Sequence, residues 1–362
     1  MLLTCSGYRK QTMKFSGLLA VALAMFCLPA YGAQGGKAGN KPEELLPICI
    51  EINKCGYVNS SGKVVIPFKF RGVSSHFAPN GLALAQEDNK VGYINTKGEW
   101  VIPPSFRIAN NFAANGLAAA TEYGDWGYIN AQGKWVIQQK FKGAGDFAAN
   151  GLAVVNETKG DTKYGYINTK GKIVIPLRFS YAGPFAPNGL AVAFEEDGSH
   201  GYINAKGEWV IPPSFDEAKD FAANGLAAAR EDGRWGYINA KGKWVIQPQF
   251  DNAENFAANG LAVLVAHIGG GNFGYGYINA KGEWAIPPKF EDAKNFAANG
   301  LAYVRESEKK AGYINAKGQF VISIASACGR EVLKYGGGEN NVLKNDKGEI
   351  VWPEKVPPCK KQ

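Results

Sequence analysis

Histidine and methionine are nearly missing from this chain, with three of each among 362 residues. His76, His200 and His267 stand at unrelated positions of the pattern described below, and no two of them have the i, i+4 spacing of a helical metal pair. No serine sits in a Gly-x-Ser-x-Gly elbow either, so the common signatures of hydrolytic chemistry are absent. Long apolar runs are also lacking. Leu18 to Leu28 is the longest, and it is shorter than the roughly 20 residues a membrane span needs. The acidic stretches Glu195-Glu196-Asp197-Gly198 and Glu231-Asp232-Gly233 lack the alternating oxygen ligands of a calcium loop and read as solvated turns.

What is present is repetition. The stretch Trp235-Gly236-Tyr237-Ile238-Asn239-Ala240-Lys241-Gly242-Lys243-Trp244-Val245-Ile246 is one copy of a unit that recurs every 35 to 40 residues. Two β-rich runs flank Asn239-Ala240-Lys241-Gly242, which fits a three-residue hairpin loop with Gly242 left-handed and Asn239 accepting from the backbone two residues on. Pairing Asn239 with Lys243 sets Ile238 against Trp244 and Gly236 against Ile246, with Tyr237 and Val245 on the other face. Both faces are then apolar, as in a sheet covered on two sides. In this register the Trp244 indole covers the bare backbone of Gly236.

Starts of the unit fall at Gly56, Gly92, Gly127, Gly165, Gly201, Gly236, Gly276 and Gly312, with a worn ninth copy at Val342–Gly348. Each hairpin is followed by a connecting run such as Phe215-Asp216-Glu217-Ala218-Lys219-Asp220-Phe221, then by a narrow strand, Leu226-Ala227-Ala228-Ala229. That strand returns through the two-residue turn Asp232-Gly233 into the next copy. Spacing of three between Phe215, Ala218 and Phe221 suits one turn of 3₁₀ or α-helix whose phenylalanines dip between neighbouring sheets, and an irregular loop anchored by the same two rings reads alike. The unit is therefore read as a three-stranded antiparallel meander with a connector.

Trp126-Gly127-Tyr128-Ile129, Gly133-Lys134-Trp135-Val136-Ile137 and Gly151-Leu152-Ala153-Val154 resemble the bacterial WG repeat family, also called KWG, over roughly residues 50 to 350. The first Trp of that pattern survives only at Trp126 and Trp235 and is replaced elsewhere by Cys55, Val91, Tyr164, His200, Tyr275 or Ala311. The turn carries Asn where the family commonly has Asp. The resemblance implies tandem β units and carries no general activity.

The fold expected is all-β: about nine three-stranded units stacked as an open superhelical solenoid, with a closed propeller-like ring as the alternative. Atypical end units favour the open form, because a ring has no ends, and nine units exceed the usual propeller of about four to eight blades. The recurring Trp100, Trp135, Trp209, Trp244 and Trp284 are expected in the core between layers, hidden from any sugar.

Residues 1–32 read as a signal peptide: Arg9, Lys10 and Lys14 precede the apolar run, and Ala30-Tyr31-Gly32 offers small residues for cleavage. Residues 33–47 form a flexible leader, 48–353 the repeat array and 354–362 a polar tail. The three basic residues of the leader account for part of the net +8, leaving +5 spread along the mature chain. No basic stripe is visible in the sequence, so nucleic acid is not an expected partner, nor is stable membrane insertion. In an exported chain, Cys49 with Cys55 and Cys328 with Cys359 are candidate disulfides, one staple at each end. No metal and no cofactor is implied.

These readings point to a periplasmic or extracellular, non-enzymatic scaffold that binds a protein or envelope component. A glycan-binding module using exposed aromatics is the alternative, and an enzyme assembled across units comes third. Units differ most at the enlarged turns Asn156–Lys163 and His267–Tyr275, which makes Tyr164, His267, Phe273 and Tyr275 the candidate binding residues.

Overall fold

The computed structural model describes residues 45–326 and 341–352, except 52, 60, 61, 75, 158–161, 197, 271, 298, 299, 308, 309, 345, 346 and 348. Among them no residue is helical; the chain forms eight antiparallel sheets. The sixth sheet shows the plan. Its strands run in the order Glu217–Ala218, Leu226–Glu231, Arg234–Asn239, Trp244–Phe250.

Local chemistry sets the turns as the sequence suggests. Asn239 N–H donates to the Lys243 carbonyl and Gly242 N–H to the Asn239 carbonyl, both at 2.9 Å, with Gly242 at φ +73°. Asn239 Oδ1 accepts from Lys241 N–H at 2.9 Å, locking the loop. At the other end of the hairpin pair, Asp232 and Gly233 both take positive φ, as a tight primed turn requires.

Two readings change beyond the turn. Ile238 does pair with Trp244, but a bulge at Val245 then sets Tyr237 against Ile246. A second irregularity sets Trp235 against Phe250. The backbone of the bulged strand is thereby pressed onto Gly236, where an added Cβ would meet the Ile246 carbonyl oxygen at 2.5 Å. Backbone, and not the Trp244 indole, explains the mid-strand glycine. The connector, in turn, is no helix: Glu217 and Ala218 pair with Arg230 and Ala229 and give the sheet a fourth strand. A single residue, Asp216, separates that strand from Phe215 of the preceding sheet, so the outer strand of one sheet runs straight into the edge strand of the next.

Adjacent sheets are sewn together by three repeated contacts. The buried Tyr of each Gly-Tyr pair donates its hydroxyl to a carbonyl in the next sheet's connector, as Tyr237 does to Glu254 and Tyr202 to Lys219, both at 2.7 Å. Its ring lies 4.6 to 4.8 Å from the connector phenylalanine in pairs such as Tyr202–Phe221 and Tyr277–Phe296, so the phenylalanines do dip between sheets. In four hairpins the indole stands edge-on to the phenylalanine ending the previous sheet's outer strand, as Trp209 does to Phe179.

These contacts close on themselves, which overturns the open stack of nine three-stranded units. Tyr313 of the eighth sheet donates to the carbonyl of Pro47 in the first, repeating across the chain ends the bond made between every other pair. Leu46, Ile48 and Val58 of the first sheet form one buried cluster with Ala311, Ile322 and Ile324 of the eighth. No end sheet faces water, so the fold is an eight-bladed propeller-like ring. The worn ninth copy makes no blade; Asn341–Lys344 and Ile350–Trp352 extend the eighth sheet to six strands. The first and seventh sheets have three strands and the other five have four. The atypical end sequences are the seam of the ring, not solvent caps.

The recurrent tryptophans are not core residues either. Trp100, Trp135, Trp209 and Trp244 are half-buried, and Trp284 is 37% exposed. The fully buried rings are tyrosines such as Tyr237 and phenylalanines such as Phe179. Cys49 and Cys55 face each other across the first two strands and form a disulfide with S–S 1.99 Å. Cys328 and Cys359 lie outside the described residues.

Candidate functional site

With eight sheets of the same order around a ring, corresponding turns fall on one side. One rim carries the Asn-x-Lys-Gly turns and the Asn-Gly loops; the opposite rim carries the Asp-Gly turns and the single-residue bends between sheets. The predicted binding residues belong to the opposite rim.

The seventh sheet breaks the pattern there. Its hairpin, Ala262–Gly269 with Asn272–Ile278, is longer than the six-residue pair Leu226–Glu231 and Arg234–Asn239 of the sixth. The partner strand Trp284–Phe290 follows it only as far as Tyr275, opposite Phe290, so the tip projects beyond the sheet. His267 pairs with Phe273 and their rings lie 4.1 Å apart. Phe273 is 56% exposed and Ile268 50%, so the hairpin tip holds two apolar side chains in water.

The structure thus brings His267 and Phe273 together, with Tyr275 two residues on along the same face of the hairpin. Tyr275 is half-buried, packed against the core of its sheet. Tyr164 does not join them. It sits in the fourth sheet, paired with Asn156 and Phe179, its ring 5.7 Å from Tyr181. Of the other histidines, His76 and His200 are partly buried and not surface groups, and burial lowers the pKa of both.

The acidic turn of the fifth sheet is tied to cations, Glu196 to Lys163 at 3.1 Å and Glu195 to Arg178 at 4.0 Å. Elsewhere on it Lys142 meets Asp125 at 2.7 Å, and Arg234 meets Asp251. Among the described residues no three of His, Cys, Asp and Glu gather as a metal site.

Two features escaped sequence reasoning. The position before the connector phenylalanine is polar in every copy but Pro184, and it can reach between sheets: Asn295 Nδ2 donates to the Asn255 carbonyl at 2.7 Å. In the same region Asn110, two residues before Phe112, donates from Nδ2 to Asp146 Oδ1 at 2.9 Å. Burial pushes the Asp146 carboxyl up to about 6, partly offset by that bond. Its signal was a polar residue kept beside an invariant aromatic position. The second feature is a shallow cavity of about 290 Å³ where the fourth and fifth sheets meet, lined by Pro176, Arg178, Lys206, Glu208 and Trp209.

Comparison with known proteins gives a sequence match to one family, described as WG containing repeat, over residues 56–90, 92–124, 126–159, 164–197, 201–235, 235–264 and 275–309, more than half of the chain. No curated protein matches. Solved structures with a similar chain path include a eukaryotic initiation factor (10% identity, 76% of this chain and 94% of that one, TM-score 0.48). Kluyveromyces lactis Hsv2p (9%, 70% and 93%, 0.43) and BamB from Moraxella catarrhalis (13%, 76% and 93%, 0.40) are others.

Proposed function

This chain belongs to the family of WG-containing repeats, and from that premise we propose that it is an exported, non-enzymatic scaffold that binds a protein through the rim carrying the long hairpin. The observation that carries the reading is the exposed Ile268 and Phe273 at the tip of a hairpin that outgrows its sheet. A rigid ring holding a protruding apolar anchor suits a protein partner, since aromatic anchors on fixed elements dominate such interfaces. Export is supported by Arg9, Lys10 and Lys14 ahead of Leu18–Leu28, and the Cys49–Cys55 disulfide suits an oxidising compartment.

The test is a pull-down from periplasmic and surface extracts with the mature protein and with a double variant, Ile268→Ala and Phe273→Ala. Both side chains are exposed, so the ring should fold in each. A partner retained by the parent and lost from the variant agrees with the reading; equal retention by both contradicts it. Recovery of an uncleaved chain from the cytoplasm alone would end the export part.

One observation favours a glycan as a second reading: Trp209 is half-exposed and lines a cavity with Arg178 and Glu208, a ring with polar neighbours of the kind that can receive a sugar. Quenching of tryptophan fluorescence by envelope polysaccharide, lost in Trp209→Ala, would support it over the protein reading.

A further inference from the structure

The lysines that look scattered in the sequence are gathered by the fold. The third residue of the Asn-x-Lys-Gly turn is Lys97, Lys170, Lys206, Lys241, Lys281 or Lys317 in six sheets, and every one is exposed. The residue after the turn glycine adds Lys63, Lys134, Lys172 and Lys243, also exposed. Against these ten lysines the turns hold three glutamates, Glu99, Glu208 and Glu283. Each of the three is held by its own turn, through a bond from Asn95, Asn204 or Asn279 Nδ2 at 2.8 to 2.9 Å. None of the ten lysines makes an ion pair among the described residues, whereas the opposite rim is laced with them. The neighbouring loops on the lysine rim, such as Ala222–Leu226, add no charge.

The turns cannot reorganise to neutralise one another. In seven sheets the turn glycine lies against an isoleucine of the preceding sheet, as Gly242 does on Ile211 and Gly207 on Ile175, which fixes these lysine-bearing turns around the rim. Beside them runs an apolar band. Three residues past the turn glycine, Val101, Val136, Val174, Val210 and Val245 are 46 to 51% exposed, within about 10 Å of the rim along the strand.

We infer that this rim docks on the surface of an anionic phospholipid bilayer. A circle of cations matches a plane of headgroup phosphates better than the linear track of a polyanion. The valine band gains by reaching the headgroup boundary, and would gain nothing from DNA or an acidic saccharide. Docking is peripheral, since no helix among the described residues is long and apolar enough to cross a membrane.

The test is co-sedimentation of the mature protein with vesicles of phosphatidylcholine containing about one-third phosphatidylglycerol, against phosphatidylcholine alone, at low and high salt. Three proteins are compared: the parent, the rim variant Lys206→Gln, Lys241→Gln, Lys281→Gln, and a control of equal charge change away from the rim, Lys69→Gln, Lys90→Gln, Lys289→Gln. The parent should bind only the anionic vesicles and be released by salt. Each rim lysine removed should weaken binding about fivefold, so the rim variant should lose about a hundredfold while the control stays near the parent. Equal binding to both vesicle types, or equal loss in rim variant and control, overturns the inference. Binding to dextran sulfate or duplex DNA with none to vesicles overturns it too.

Discussion

The two rims of the ring are built from the same repeat and yet differ in kind. On the lysine rim the seven fully described turns share one length and one conformation, because the glycine is wedged against the sheet before it; 3.1 Å separates the Cβ position of Gly242 from Ile211 Cγ2. On the opposite rim a Cβ at Gly233 would meet nothing within 4 Å, and there the turns vary in length, carry Tyr123 at 91% exposure and Phe273 at 56%, and pair their charges. Where packing fixes the turn, only the charge is free to matter; where packing lets go, shape can vary. A partner that needs a shaped anchor therefore belongs to one rim and a featureless charged plane to the other.

The comparison can be broken from between the rims first. Gly236→Ala should cost about 3 kcal/mol or more in urea melts, because a methyl there collides with the Ile246 backbone, which no side-chain rotation relieves. A loss below about 1 kcal/mol would mean that the outer strands do not cross so closely.

Buried charge between the rims comes next. Burial raises the Asp146 carboxyl to about 6 from its usual 3.8, so the folded ring binds a proton that the unfolded chain has released between those values. Stability should be fully present below about pH 4, fall as pH rises through 6, and level off about 2–3 kcal/mol lower. Asp146→Asn should flatten that window. Urea midpoints from pH 4 to 7 read both, and an unchanged slope in the variant would assign the dependence to other groups.

Sharper still is the paired exchange of turn glycines. Gly242→Ala on the lysine rim and Gly233→Ala on the opposite rim both force positive φ on a side chain, at about 1–2 kcal/mol. Only the first also pushes on a neighbouring sheet, so it should be the costlier by about 1 kcal/mol. Equal costs would erase the difference in packing claimed for the rims. Smallest of all, Lys142→Gln and Lys241→Gln should each shift stability by under about 0.5 kcal/mol: the first breaks an exposed pair with Asp125, the second breaks none.

What could be read from the sequence was whatever a few neighbouring residues decide. Asn239 and Gly242 dictate their turn through a side-chain acceptor and a positive φ, and Asp232-Gly233 does the same. The connector phenylalanines announced their burial. Register past Val245 was lost because a bulge leaves no mark in an apolar alternation, and the helical turn failed because Phe215, Ala218 and Phe221 fit two periods until Glu217 and Ala218 find a strand to pair with. Ring and stack bury the same faces, so only contacts between the two chain ends tell them apart, the Tyr313 bond to Pro47 and the packing of Leu46 and Ile48 on Ile322 and Ile324. At the site, the long hairpin was visible as an insertion, but Tyr164 shares only its place in the repeat with His267, and place in the repeat is not proximity. The lysine circle went unseen because its members stand some 35 residues apart, where they look like an even sprinkling of charge.

The claim beneath all of this is that the first and eighth sheets touch. Spin labels at Lys63→Cys and Lys317→Cys, in a chain without other free thiols, report the distance between the turns of those two sheets, with Lys63→Cys and Lys97→Cys as the standard for neighbours. A closed ring gives the same short distance for both pairs. If the first pair instead lies on the order of 70 Å apart, the span of eight sheets stacked about 10 Å from one another, the ring is refuted.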